Sequence, residues 1–240
     1  MATTTLNNDP RVLAGMKSQL GTRATRIAAG GKHLGWKAGF GAPAALQKFG
    51  LPGPLVGFML ADARVSSGDT VSISGWTKPV AEPEIAVWLG GDLADGSDRA
   101  RVAAAISGIG PAIELADLNP PPEDVTAILA GNIFHRRVIL GRVDNARAGA
   151  RLDGLVGHVT RSGTKIAPVS GDALDANTGR LLDIVAHIAS TLATCGEKLS
   201  RGDVIICGSV VPPIFLEPTD DSVAWTLDGI GEVSVRLSPT

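Results

Sequence analysis

The sequence predicts a single α+β domain over residues 1–240, with residues 1–33 as an N-terminal helical segment packed on it. Three observations carry that expectation. Short apolar runs of strand length recur along the chain, cut apart by 30 glycines and 15 prolines. A few other segments repeat their apolar residues at helical spacing. No internal repeat, long charge run or low-complexity linker divides the chain, and 44% hydrophobic residues are enough for one core.

Asn8 or Asp9 can cap a first helix with Pro10 in its first turn and Val12, Leu13, Met16 and Leu20 as its apolar stripe, ended by Gly30 and Gly31. Residues 34–40 read as a strand, Pro43–Phe49 as a short helix stopped by Gly50, and residues 51–57 as a loop because glycine and proline interrupt them. Val71 and Ile73 alternate with polar neighbours, and residues 84–89 read as a strand. Within 108–118, residues 113–115 look like a buried strand; after three prolines, 123–130 resemble a helix closed by Gly131. Residues 137–140 and 155–160 are strands, the second turning at Arg161-Ser162-Gly163 into a partner at 164–169. The clearest helix is 178–194, where Leu181, Leu182, Val185, Ile188, Ala189 and Leu192 share one face before Gly196. A short apolar strand at 204–207 and a hairpin of 223–227 with 232–237 around Asp228-Gly229 close the chain.

Lys plus Arg number 22 and Asp plus Glu 24, so the net charge of -2 provides no general attraction for nucleic acid. No apolar stretch reaches the length of a membrane helix, and the Thr- and Asn-rich start does not read as a signal peptide. Cys195 and Cys207 are too few for a disulfide framework in so long a chain; the expected compartment is the cytoplasm.

The chemistry rests on acids. In Glu82-Pro83-Glu84, leading into Ile85-Ala86-Val87-Trp88-Leu89, residues i and i+2 of an extended chain face one way, which sets two carboxylates side by side. Water separates such a pair on an ordinary solvated edge, or a hard cation such as Mg2+ or Mn2+ joins it. Glu114 has apolar neighbours and is either the wet face of an amphipathic strand or a buried acid in need of a partner. A third carboxylate meeting the first two would complete a facial set. Lys37, in Gly35-Trp36-Lys37-Ala38-Gly39-Phe40, either faces a pocket, where it can bind a carboxylate and move protons, or snorkels from a strand. Asp62 follows an apolar run and is a base or a strand terminator. The four histidines lack zinc-like spacing, His187 reads as packed in its helix, and neither cysteine has the setting of a nucleophile. No phosphate-binding glycine loop or Gly-x-Ser-x-Gly elbow occurs.

Together these segments resemble the fumarylacetoacetate hydrolase superfamily, and within it the 2-oxopent-4-enoate hydratase and oxalocrotonate decarboxylase branch. Gly35-Trp36-Lys37-Ala38-Gly39 is similar to the family's lysine segment, Glu82-Pro83-Glu84 to its Glu-x-Glu strand, and Ala112 to Asp117 to the context of its next metal acid. Gly202-Asp203-Val204-Ile205-Ile206-Cys207-Gly208-Ser209 is similar to the branch's C-terminal segment. The likeness runs from about Leu34 to the end. Gly41-Ala42 stand where Ser or Thr is frequent, and Ser170-Gly171-Asp172-Ala173-Leu174-Asp175 brings acids into a small-residue stretch.

The resemblance implies a mixed β-rich roll with flanking helices, a homo-oligomer, and Mg2+ or Mn2+ on Glu82, Glu84 and Glu114. It implies chelation of the carboxylate and 2-oxygen of a 2-oxo or 2-enol acid and stabilisation of an enolate. Lys37 and Asp62 would handle protons as a 2-hydroxy-2,4-dienoate becomes a ketone, to which water adds; Ser170 and Ser209 would contact the substrate. Decarboxylation of a 2-oxo diacid and hydrolysis of an acylpyruvate start from the same enolate. A scaffold subunit of a hydratase and decarboxylase complex is the non-enzymatic alternative, and would bind neither Mg2+ nor the enolate mimic oxalate.

Overall fold

The computed structural model describes residues 8–166, 168–175 and 179–238, with only the backbone of Asp172. The first helix, α1 (Pro10–Ala28), starts where the Asp9 carboxylate accepts from the Arg11 amide. There follow β1 (His33–Gly39), α2 (Pro43–Phe49), β2 (Leu55–Leu60), β3 (Arg64–Val65), β4 (Thr70–Ser72) and β5 (Pro79–Leu89). Next come α3 (Arg99–Ala105), β6 (Ile106–Asp117), α4 (Val125–Ala130) and β7 (His135–Leu140). The chain continues with β8 (Val156–Arg161), β9 (Thr164–Lys165), β10 (Val169–Ser170) and α5 (Leu181–Thr194). It closes with β11 (Val204–Ser209), β12 (Ile214–Phe215), β13 (Ser222–Leu227) and β14 (Gly231–Ser238).

Two sheets result. The larger has the order β2-β1-β11-β5-β6-β7-β3, with β12 beside β5, and curls into a half-barrel. The smaller has the order β10-β8-β13-β14-β4, with β9 beside β8. Strand β13 alternates buried Val223, Trp225 and Leu227 with half-buried neighbours, and with β14 it packs on the central strands β5 and β6. On the outside, α1 packs on α4 and β2, and α5 on α3, β1 and β11. This is the α+β, β-rich roll with flanking helices that the resemblance implies. Among the described residues no helix is long and apolar enough to cross a membrane.

Several boundaries differ from the sequence reading. The loop expected at 51–57 is present at 51–54 and gives way at Leu55 to β2, whose six residues are all buried against β1; Leu55-Val56 already belong to the apolar run that the glycines and prolines before it obscure. Strand β1 takes in His33, which the sequence reading assigned to the N-terminal segment. β5 and β6 are far longer than 84–89 and 113–115, because pairing along their whole length tolerates Pro79, Pro83 and Pro111 within them. Helix α3, capped by the Asp98 carboxylate, lay below the length at which periodicity shows. The partner strand expected at 164–169 divides into β9 and β10. The helix expected from 178 is described from Leu181, Thr178 lying outside the described residues.

Candidate active site

Strands β5 and β6 run antiparallel with Glu82 opposite Glu114 and Glu84 opposite Ala112. Directly opposed residues share a face, as do residues two apart, so this register puts all three carboxylates on the same side of the sheet. Each offers an oxygen within 4.8 Å of the others. Glu84 and Glu114 are fully buried, and Glu82 retains some surface.

Such crowding needs compensation. The Gly208 amide donates to Glu84 Oε2 at 2.6 Å, from a backbone whose φ of 97° suits glycine. From the smaller sheet, Trp225 Nε1 donates to the Glu84 carbonyl at 2.8 Å and pins β5 at this point. Glu84 Oε1 and Glu114 Oε2 are buried with no hydrogen-bond partner. Burial pushes the Glu82 carboxyl up to about 7, with the charge of Glu114 adding and Lys37 opposing. Burial, then Glu114 and Glu82, push Glu84 well above the ordinary carboxylate range. Burial also raises Glu114, but Lys37 and His135 outweigh it and hold this carboxyl below its usual value. Hard oxygens converging from three acids, two of which carry a buried unpartnered oxygen, are the donor set that Mg2+ or Mn2+ prefers, so the residues present fit a divalent cation.

Lys37 enters from β1, in register with Ile206 of β11 and Gly57 of β2, and its side chain is buried. Its Nζ donates to Glu114 Oε1 and, at 3.3 Å, to the Ile133 carbonyl. Gly57 makes room for it: a Cβ there would lie 2.9 Å from Lys37 Cγ. The Ile133 carbonyl comes from a turn in which Asn132, Ile133 and Phe134 all have positive φ, 53°, 51° and 62°. For non-glycine residues this costs about 1–2 kcal/mol each, and an isoleucine adopts it only where its surroundings enforce it. Asn132 supplies that enforcement, accepting from the Phe58 amide and donating to the Phe58 carbonyl, both at 2.9 Å. The turn delivers His135, whose Nδ1 lies 2.7 Å from Glu114 Oε1. Neither residue was expected from the sequence. Asn132 after a glycine was a weak sign of left-handed backbone, and His135 had none.

Lys37, Glu82 and Ser209 border a cavity of about 210 Å3, otherwise lined mainly by apolar or small residues such as Phe40, Val80, Leu118, Ile133 and Phe215. Ser209, opposite Glu84, donates to the Pro83 carbonyl at 3.3 Å. The structure thus gathers Lys37, Glu82, Glu84, Glu114 and Ser209. Two expected residues lie elsewhere. Asp62 is in a short 3-10 turn beyond β2, exposed and bound to Arg26 at 2.8 Å, at the end of the strand away from Gly57. An acid after an apolar run terminates the strand here. Ser170 is exposed on β10 opposite Val156, in the smaller sheet. Neither lines the cavity. Of the departures from the family pattern, Gly41 and Ala42 line the cavity, while the Asp172 side chain lies outside the described residues.

Comparison with known proteins extends this picture. The family model described as fumarylacetoacetate (FAA) hydrolase C-terminal matches residues 36–238. The chain is 29% identical over 219 residues to a 2-keto-4-pentenoate hydratase of Paraburkholderia xenovorans, covering 88% of this chain and 78% of that one. It is 29% identical over 213 residues to a 4-oxalocrotonate decarboxylase of Pseudomonas putida, covering 87% and 78%. Among solved structures it is similar to 4-oxalocrotonate decarboxylase from Pseudomonas putida G7 complexed with magnesium and adipate. There the TM-score is 0.82 and the identity 27%, over 93% of this chain and 84% of that one.

Proposed function

The chain belongs to the fumarylacetoacetate hydrolase family, and on that premise we propose that it is a divalent-metal-dependent hydro-lyase adding water to a 2-hydroxy-2,4-dienoate. The observation that carries the reading is the convergence of three carboxylates, two with unpartnered buried oxygens, beside a buried lysine at a small apolar cavity. Held by Glu82, Glu84 and Glu114, Mg2+ or Mn2+ would supply Lewis acidity, polarising the 2-oxygen and stabilising the charge that develops on it.

Lys37 is the one cation among the cavity's described lining residues, and its Nζ holds the proton that can be delivered to carbon. The 2-hydroxyl loses a proton and a carbon of the diene gains one, which gives a conjugated ketone. Water then adds, its oxygen to the β-carbon and its hydrogen to the α-carbon. Ser209 borders the cavity where its hydroxyl can orient the substrate or the water. The apolar lining excludes bulk water and accepts a hydrocarbon tail, and the volume suits a molecule smaller than a drug-sized ligand.

The same lining supports one of the two activities named among the relatives. Lys37 is already bound to Glu114, so a second carboxylate in this cavity would be buried without a free counter-charge. Hydration of a monoacid is therefore favoured over decarboxylation of a 2-oxo diacid. The test follows absorbance of a 2-hydroxy-2,4-dienoate, an oxalocrotonate and an acylpyruvate with Mg2+ and with chelator. Metal-dependent loss of the dienoate, abolished by Glu84→Gln, is expected. Carbon dioxide release from the diacid at an equal or greater rate would replace the reading by decarboxylation, and full activity of Glu84→Gln would end the metal mechanism.

A further inference from the structure

We propose that His135 is a positioning residue that holds Glu114 in the orientation a divalent cation requires. The inference rests on the reading of Glu82, Glu84 and Glu114 as a cation site and adds to it a side chain from outside those acids.

The geometry is asymmetric. Both donors to Glu114, Lys37 Nζ and His135 Nδ1, converge on the same oxygen, Oε1, and leave Oε2 buried with no partner. A carboxylate accepts only from an N–H, so the bond assigns the ring hydrogen to Nδ1. With Oε1 tied in two directions the carboxylate is held against rotation, and Oε2 stays buried and unpartnered, open to a cation. Lys37 by itself is a poor clamp. It is a point charge on a flexible four-carbon stem, shared with the Ile133 carbonyl and reserved in the proposed reaction for the substrate. The imidazole is rigid and only 4% exposed, and it is carried by the first residue of β7, directly after the constrained left-handed turn. Three residues further along, Val138 of β7 lies opposite Glu114 itself, so the ring and the carboxylate it binds are fixed by one strand pairing.

The other ring nitrogen sharpens the test. His135 Nε2 is buried with no partner, so a replacement that keeps an N–H at the place of Nδ1 sacrifices no second hydrogen bond. Asparagine does this; alanine offers no donor, and glutamine, one carbon longer, sets its amide nearer the place of Nε2. Binding of Mn2+ to the metal-free full-length protein, read by electron paramagnetic resonance of the free ion, is compared for wild type, His135→Asn and His135→Ala. Loss of a side chain that orients a metal ligand lowers affinity about 10–100-fold, which is expected for the alanine variant. The asparagine variant is expected within about threefold of wild type, a difference under 1 kcal/mol. If alanine prevents folding, His135→Gln takes its place with the same expected loss. Wild-type affinity without the donor, or asparagine as weak as alanine or glutamine, overturns the assignment. A wild-type protein that binds no Mn2+ overturns the cation site itself, and this inference with it.

Discussion

Raising the pH of the metal-free protein from about 5 to about 8 deprotonates acids that the fold crowds together, and the cost can be worked out. Glu82 titrates near 7 in the folded chain against 4.5 for an ordinary glutamate, chiefly through burial. Glu84 is displaced in the same direction, again chiefly through burial. Between those values the folded state carries protons that the unfolded state has lost. Stability therefore falls as pH rises through this window, and the Glu82 share of the loss is complete above about 7. At 1.36 kcal/mol per pH unit, Glu82 alone would account for about 3 kcal/mol. Its carboxyl is enclosed while the residue keeps some surface, so solvent screening reduces this to about 1–2 kcal/mol. In a chain of 240 residues each kcal/mol moves the melting temperature by about 2–4 °C, which gives a drop of about 2–8 °C. Saturating Mg2+ replaces the missing counter-charge, so its stabilisation should be small near pH 5 and should grow by at least that drop near pH 8. Thermal unfolding with and without Mg2+ across this range measures both. The range stops above the region where Asp220, held low mainly by its Arg161 hydrogen bond, contributes a loss of opposite sign as pH falls. An Mg2+ shift of equal size at both ends, or one unchanged in Glu84→Gln, would mean that the crowded acids do not set this pH dependence.

Three further substitutions probe the frame of the site. Gly57→Ala sets a Cβ against the stem of Lys37 and 3.1 Å from Asn132 Oδ1; turnover should fall at least tenfold while Mn2+ still binds, as titration of the pure variant will show. Gly208→Ala places a side chain where φ is 97° and strains the amide that holds Glu84. A stability loss of about 1–2 kcal/mol with weakened Mg2+ binding is expected from denaturant unfolding and calorimetry. Asp62→Asn breaks only an exposed ion pair with Arg26, so kcat should stay at the wild-type value and stability should change by less than about 1 kcal/mol.

Residues whose meaning lies in local spacing were legible without coordinates. Glu82 and Glu84 share a face because they are two apart in an extended run, and Glu114 stood out as an acid among apolar neighbours. Lys37 did so as a lysine between glycines, and α1 and α5 announced themselves by caps and periodicity. Asp62 stayed open between a base and a strand terminator because an acid closing an apolar run has the same local pattern whether it serves a site or ends a strand. Ser170 was placed by likeness of sequence alone, and its exposure on β10 depends on how the smaller sheet pairs.

From the chain alone, then, came the fold class, the family likeness and the three acids, since each is written in neighbours a few residues apart and in side-chain chemistry. Only the tertiary structure decided that Glu82 faces Glu114 across β5 and β6, that Lys37 reaches the same oxygen as His135, and that Asn132 to Phe134 turn left-handed. Those facts follow from strand register and from packing between segments as much as 77 residues apart. Shifting the register by one residue would turn Glu114 to the other face, and no local pattern specifies it.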